Sequence, residues 1–400
     1  MNEFSKQSKP NTITTLRLLL PVVYIAGRLL FFLALMPNDL HGFGDFQVYF
    51  DSAAMPGLPY FNYWSEYPPI FAWLIKIVYW FSQGNQFLFD FLFFLALTIA
   101  SAASIWLVAE ISKLLNFGEQ ETDLRTGIYF GLLAFTSYTW WYFDPIPVVL
   151  MLAAIYYLLK GKETSSGIWL GLGILAKWFP IILLPAVFRF TKLKTFMKIS
   201  AVAIGITVVV WGLHLILSPT MTWASLQSQP SRSSWQTIWA LIDGNLTTGA
   251  FVPMEERVWP EAATFPRGNS AVIPNWATLL VFGGIGLFIL LRSKRQNPKA
   301  FVGMAGITWA LFLLWSPGWS PQWILYLFPL ILLTFKFNSM LLYLFSLSLI
   351  TIIEWPFLLT HHLFLGLWLV VPIRMLLLIG MILQWIPIVI NSRRQITHIN

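Results

Sequence analysis

About a dozen apolar runs follow one another along the 400 residues of this chain, and most of the polar breaks between them are short. A helix rises about 1.5 Å per residue and needs about 20 apolar residues to cross the roughly 30 Å hydrocarbon core of a bilayer. With 57% hydrophobic and only 10% charged residues, too few polar groups exist to clothe a water-soluble domain. The chain therefore reads as an all-α polytopic integral membrane protein, a single membrane-embedded unit over residues 1–400. Spans are predicted near 14–36, 86–114, 126–143, 145–160, 167–177 paired with 178–190, 199–217, 274–292, 300–316, 322–337, 338–353 and 375–391.

The net charge of +8 does not point to nucleic acid, because Lys and Arg collect on the cytoplasmic side of membrane proteins. If the spans alternate, the clusters Lys6/Lys9/Arg17, Lys113/Arg125, Lys160/Lys162, Arg189 to Lys198, Arg292 to Lys299, Lys336 and Arg393/Arg394 share one side. Ile13 to Met36 is too long for a cleaved signal and reads as an anchor with a cytoplasmic N-terminus in the plasma membrane. Seven of the 25 basic residues escape this topological reading: Arg28, Lys76, Lys177, Arg232, Arg257, Arg267 and Arg374. They are the candidate functional cations. Among them, Arg28 is expected to pair with a neighbouring carboxylate. The absence of cysteine excludes disulfides, thiolate metal sites and thiol nucleophiles.

Two outer segments interrupt the spans. The first, 37–85, ends in an apolar stretch from Pro68 to Phe81 with Lys76 midway, read as a helix lying at the outer interface because a crossing would invert every later basic cluster. The second, 218–273, is the largest loop and the one stretch resembling a small lid. Pro180 breaks the apolar run around Lys177, and broken helices are tolerated in membranes chiefly where they line a water-filled cavity. An outward-opening cavity is therefore expected.

Carboxylates gather on the outer side, with Asp45, Asp51 and Glu66 concentrated between Gly44 and Pro69. Ionisable groups at a membrane boundary are functional candidates, and a carboxylate base beside a cationic phosphate clamp suits a phosphorylated lipid entering from the bilayer. Asp45 with Val48-Tyr49, the turn from Pro56 to Tyr60, and Glu66-Tyr67-Pro68-Pro69 resembles the first outer loop of GT-C glycosyltransferases that use polyprenyl-phosphate sugars. Within that superfamily the chain looks most like glycosyltransferase family 87. The AKWFP segment from Ala176 to Pro180 is similar to that family's Lys-x-x-Pro helix break, and SPGWSPQW from Ser316 to Trp323 to its Ser-Pro-Gln-aromatic loop.

The resemblance implies a GT-C-like bundle of about 11–13 transmembrane helices with extracytoplasmic juxtamembrane helices. It implies an inverting transfer of a hexose, mannose by analogy, from a polyprenyl phosphate to a lipid or glycan acceptor on the outer face. Asp45 matches the position of the catalytic base, with Asp51 in reserve and Glu66 as a second acid or orienting residue. For the donor phosphate the candidates are Lys177, Arg374 and Lys76; Arg374, at the mouth of the last span, has the alternative of pairing with Glu354. Sugar or lipid contacts fall to Tyr49, Tyr60, Tyr67, Gln322 and Trp323. The only expected partners are the glycosylated lipid donor, the acceptor and membrane lipids. No nucleic acid, cofactor or divalent metal is expected, and adjacent His361-His362 point in different directions. A membrane transporter, or a non-catalytic binder of polyprenyl lipids, are the competing readings, the first weakened by the absence of two related halves.

Overall fold

The computed structural model describes residues 12–35, 44–294 and 297–390, with side chains from residue 18 to residue 34 in the first of these stretches. Lys6, Lys9, Asp39, Arg295, Arg393, Arg394 and the side chain of Arg17 lie outside the described residues. The chain opens with α1 (Thr12–Leu35), two site-side helices α2 (Phe46–Ala54) and α3 (Pro69–Phe81), then α4 (Gln86–Leu114), α5 (Glu119–Phe135) and the single turn α6 (Tyr138–Trp141). A hairpin of α7 (Pro145–Leu159) and α8 (Glu163–Ala176) follows, then a 3-10 turn (Phe179–Leu183) running into α9 (Leu184–Phe190), and α10 (Leu193–Leu217). The large loop carries α11 (Pro219–Ser228), α12 (Ile238–Asp243) and two 3-10 turns. The last third holds α13 (Asn275–Arg292), α14 (Pro298–Trp315), a 3-10 turn (Pro321–Trp323) leading α15 (Ile324–Leu332), α16 (Phe337–Ile352) and α17 (Leu367–Ile390). The described residues contain no strand, and six helical segments are long and apolar enough to cross a membrane.

Short connections at residues 115–118, 160–162, 191–192, 293–297 and 333–336 join successive helices, which must therefore run antiparallel. The described residues of the basic clusters lie in or beside these turns, several of which meet. Arg189 Nε donates to Ser293 Oγ at 2.8 Å, Arg125 Nη2 to the Phe335 carbonyl at 3.0 Å, and Lys294 N to the Val389 carbonyl at 3.1 Å. Long or irregular connections join the helices at their other ends. All nine residues of α15 are buried, as befits a helix apolar all round at the bundle centre. Lipid tails are as apolar as leucine, so tight packing rather than escape from water holds α15 there. Trp309 of α14 stacks on its Tyr326 with centroids 4.4 Å apart.

Several predicted boundaries move. The span expected at 126–143 ends at Phe135, because Thr136 turns extended and only α6 follows. The last span, expected to begin near 375, begins at Leu367 as α17, so Arg374 lies two turns inside the helix and not at its mouth. Arg28 finds no carboxylate among the described residues; its guanidinium donates to Thr139 Oγ1 at 3.1 Å and the Thr139 carbonyl at 2.9 Å, and lies 3.5 Å from the centroid of the Trp140 ring.

Two short helices position the site. α7 has 15 residues and α8 has 14, or about 22 and 21 Å at about 1.5 Å per residue, short of a full crossing of about 30 Å. The hairpin brings the start of α7 beside the end of α8, and a hollow remains where both stop.

Candidate active site

Gly44 and Asp45 are set against the turn that precedes α7. The Asp45 amide donates to the Trp141 carbonyl at 3.1 Å, and a Cβ on Gly44 would fall 2.3 Å from the Trp141 Cβ, so only glycine permits this approach. Asp45 then occupies the N-cap position of α2 but makes no side-chain cap bond. An aspartate at an N-cap ordinarily satisfies a free helix amide, a contact typically worth about 1 kcal/mol. Here the carboxylate is withheld from the backbone and accepts instead from Tyr49 Oη at 3.3 Å. Burial pushes its pKa up to about 7; Asp144 adds to the rise, whereas Lys177, the Tyr49 hydrogen bond and Arg232 pull against it.

The carboxylate lies in the wall of a cavity of about 870 Å³. Pockets that bind small molecules run from about 300 to 1,000 Å³. Asp45, Glu66, Lys177, Gln229, Arg232, Gln236 and Gln322 supply its polar groups, while Ile181, Ile182, Phe312, Trp315 and Trp355 supply an apolar side. Ile181 is 43% exposed on the outside of the bundle, so the apolar side continues toward the lipid-facing surface.

Lys177 is placed by the helix break. α8 ends at Ala176, Lys177 is extended, and the 3-10 turn with Pro180 redirects the chain. The antiparallel hairpin then presents Lys177 Nζ to Asp144 Oδ1 at 2.7 Å, although the two are 33 positions apart. Asp144, 1% exposed, leaves Nζ with further donors at the cavity wall.

Glu66 organises the opposite wall. Its carboxylate receives hydrogen bonds from Arg232 and Arg257, and its carbonyl accepts from Gln229 Nε2 at 2.7 Å. Burial lowers both arginines to about 10, which leaves them charged at neutral pH. The Arg232 guanidinium lies 5.5 Å from the Trp235 ring and 5.4 Å from Phe251. The large loop is pinned to the Ser316–Trp323 segment as a fixed wall. Trp235 N donates to the Pro317 carbonyl at 3.1 Å, Trp319 N to the Trp235 carbonyl at 3.0 Å, and a Cβ on Gly318 would fall 2.2 Å from the Trp235 ring.

The predicted site residues divide accordingly. Asp45, Glu66, Lys177, Tyr67, Gln322 and Trp323 line the cavity, and buried Tyr49 stands behind Asp45. Asp51 is exposed and accepts from Gln47 Nε2 at 2.8 Å, away from the lining. Lys76 is consumed in capping α2, donating to the carbonyls of Ala53 at 2.9 Å and Met55 at 2.6 Å, so it does not reach the cavity. Arg374 is paired with Glu354, donates to the Gln236 carbonyl and lies against the Trp319 ring at 4.2 Å, one layer behind the lining. Tyr60 is buried against Trp211 and His214, its hydroxyl donating to the Tyr67 carbonyl at 2.5 Å. Asp144, Tyr142, Gln229 and Gln236 were not singled out for the site, and Arg232 only as one of the seven candidate cations. Asp144 immediately before Pro145, at a predicted span start, and Arg232 outside every basic cluster were the available signals. Among the described residues no three His, Asp or Glu side chains converge as metal ligands.

The model of glycosyltransferase family 87 matches residues 64–317, a stretch that holds Glu66, Asp144, Lys177 and Arg232. The chain belongs to glycosyltransferase family 87. This is a GT-C-type family of polyprenyl-phosphate-sugar mannosyltransferase-like enzymes, so the chain is a glycosyltransferase of the membrane. Asp45 precedes the matched stretch, and Gln322 and Arg374 follow it. No curated protein matches the chain.

Proposed function

We propose that this family 87 glycosyltransferase moves a hexose, mannose by analogy with the family, from a polyprenyl phosphate to a hydroxyl of a lipid or glycan acceptor with inversion, at the extracytoplasmic face of the plasma membrane. The observation that carries this reading is the uncapped Asp45 carboxylate in the wall of an amphiphilic cavity that also presents Lys177 and Arg232. The polar part suits the sugar and phosphate. The apolar side past Ile181 and Phe312 suits the first isoprene units of the lipid.

In this mechanism Asp45 accepts the acceptor hydroxyl's proton as that oxygen attacks the anomeric carbon. The bond from the anomeric carbon to the phosphate oxygen breaks, and polyprenyl phosphate leaves with the bond electrons. Lys177 and Arg232 take up the charge that develops on the leaving phosphate, a stabilisation strongest where water is excluded. Asp144 and Glu66 hold those two cations in place. Three cations, Lys177, Arg232 and Arg257, face three carboxylates, Asp45, Asp144 and Glu66, and no metal is assigned a role. The direct test gives the purified protein radiolabelled polyprenyl phosphomannose or phosphoglucose with extracted membrane lipids. Label in a new product supports transfer; no product with either donor, beside intact donor binding, overturns it in favour of a lipid-binding protein.

A base with a pKa near 7 is half protonated at neutral pH, and only the deprotonated form accepts the proton. Below that value kcat/KM is therefore expected to fall about tenfold per pH unit, with the midpoint near 7. The bound phosphate adds a negative charge beside Asp45, so the midpoint of kcat should lie higher than that of kcat/KM. A profile flat down to pH 5 would remove Asp45 as the base.

The sidedness has its own test, helped by the absence of native cysteine. Glu261→Cys, exposed on the large loop, is expected to react with an impermeant maleimide added outside intact cells, and Lys162→Cys, exposed on the basic face, only after permeabilisation. The reverse pattern would place the cavity in the cytoplasm.

A further inference from the structure

A second, smaller hollow of about 70 Å³ adjoins the cavity. The two share Glu66, Arg232, Trp235, Thr248 and Gly249 as a common wall. Apart from Trp64 and Glu66, the lining of this cleft comes from residues 228–268, and none of the helices long enough to cross a membrane contributes to it. The cavity continues past Ile181 toward lipid. The cleft is confined to the large loop and the segment before α3, with exposed Thr247, Thr248, Ala250 and Phe265 at its rim.

The chemistry of the lining suits a sugar. The hydroxyls of Ser233, Thr247 and Thr248 make no hydrogen bond among the described residues, and Phe265 keeps 56% of its surface exposed beside them. A pyranose ring carries hydroxyls along its edge and C–H groups on its faces, so it is matched by hydroxyl partners next to an aromatic one. Arg232 and Arg267 are each engaged by a carboxylate, Glu66 and Glu256, so the cleft holds no unengaged cation for an anion. The frame is already rigid. Asp243 accepts from Ser234 Oγ at 2.6 Å and from Val272 N at 2.7 Å, and Asn245 Oδ1 accepts from Asn269 N at 2.7 Å. A site ordered in advance loses little entropy when it binds.

We propose that this cleft is the acceptor subsite, and that the acceptor is an uncharged glycan whose terminal sugar sits among Ser233, Thr247 and Phe265 and passes its reacting hydroxyl over Thr248 and Gly249 into the cavity. The proposal rests on the glycosyl-transfer reading above and narrows the acceptor from lipid or glycan to glycan. The donor then comes from the bilayer past Ile181, and the acceptor from water through the large loop. The shared wall borders the base, since the charge of Arg232 is felt at the Asp45 carboxyl. A cleft of this size needs to hold only the reacting end; the remainder of the glycan stays in solvent.

The test uses the full-length protein in a sugar-free detergent. Because the chain has no cysteine, Ala250→Cys puts a lone thiol at the rim of the cleft, and Glu261→Cys puts one on the same loop outside the lining. Maleimide labelling is timed with disaccharides of mannose, glucose, galactose and N-acetylglucosamine, with inorganic phosphate, and with sugar-free polyprenyl phosphate. One disaccharide is expected to slow labelling of Ala250→Cys, about tenfold when present at about ten times its Kd, by mass action, and to leave Glu261→Cys unaffected. With that disaccharide as acceptor, Ala250→Trp, which fills the rim, is expected to raise the acceptor KM about tenfold while donor affinity is kept, the mark of lost acceptor binding. Protection by phosphate or polyprenyl phosphate instead of sugar would give the cleft to the donor, and protection by no disaccharide would leave it without a sugar; either overturns the subsite, and observed transfer would keep the transfer reading standing. Sugar protection in a protein that transfers nothing would uphold the glycan cleft and sink the transfer reading.

Discussion

Asp45→Asn is expected to lower kcat by about 10²–10⁴-fold, the range spanned by loss of a general base, while affinity for the polyprenyl donor changes little. Asparagine keeps the shape and can still accept from Tyr49 Oη, and no helix cap is lost because none is made. What disappears is the capacity to take a proton. Asp51→Asn is the internal control: that side chain is exposed, bonded to Gln47, and outside the lining, so the rate should stay within about twofold, as for a surface substitution of up to about 0.5 kcal/mol. Transfer rates measured on both variants, with donor binding recorded in parallel, decide the assignment. Equal product from wild type and Asp45→Asn would move the base elsewhere in the cavity.

Glu66→Gln is expected to destabilise the protein by about 3–5 kcal/mol, the cost of breaking a buried ion pair from one side. Glu66 is 3% exposed and Arg257 is 2% exposed, so the substitution leaves Arg257 charged, buried and uncompensated, and frees Arg232 beside it. Glu66 joins the segment that leads into α3 to the large loop across 166 and 191 positions of sequence, so the two should loosen together. Thermal unfolding in detergent reads the effect. The partly exposed pair of Arg267 and Glu256 supplies the contrast, since Glu256→Gln should cost no more than about 1 kcal/mol. A melting temperature for Glu66→Gln no lower than that of Glu256→Gln would show that the two arginines find other partners.

Much of the architecture was legible because its causes are local. An apolar run of sufficient length has to be a helix in a bilayer, where no water can satisfy an exposed backbone. Pro180 had to end the helix that carries Lys177, and the break occurs there, at the extended Lys177. The short run from Pro69 to Phe81 forms one helix of 13 residues, α3, between α2 and α4. The premature end of α5 at Phe135 was less visible, because the aromatic sequence from Tyr138 to Phe143 is as apolar as a helix but is used in a turn.

The site was only half legible. Asp45 and Lys177 stand out on the page because each is an isolated charge beside a helix boundary. Lys76 and Arg374 look equally isolated in sequence, yet the fold assigns them to the carbonyls closing α2 and to Glu354 and Gln236. Isolation in sequence identifies a charge that needs a partner; it does not say which partner is near.

The sequence by itself determined the membrane class, the order of the spans, the basic face and the helix break at Lys177. Hydropathy, proline and charge act within about one helix length, so these features need no knowledge of neighbours. Only the tertiary structure decided that Asp144 meets Lys177, that Glu66 gathers Arg232 and Arg257, and that Arg374 turns away from the cavity to hold Gln236. Those choices join residues from 33 to 191 positions apart. They are settled by which buried charges end up close enough to neutralise one another once the helices pack, because an unpaired charge in that interior costs more than any local preference can return.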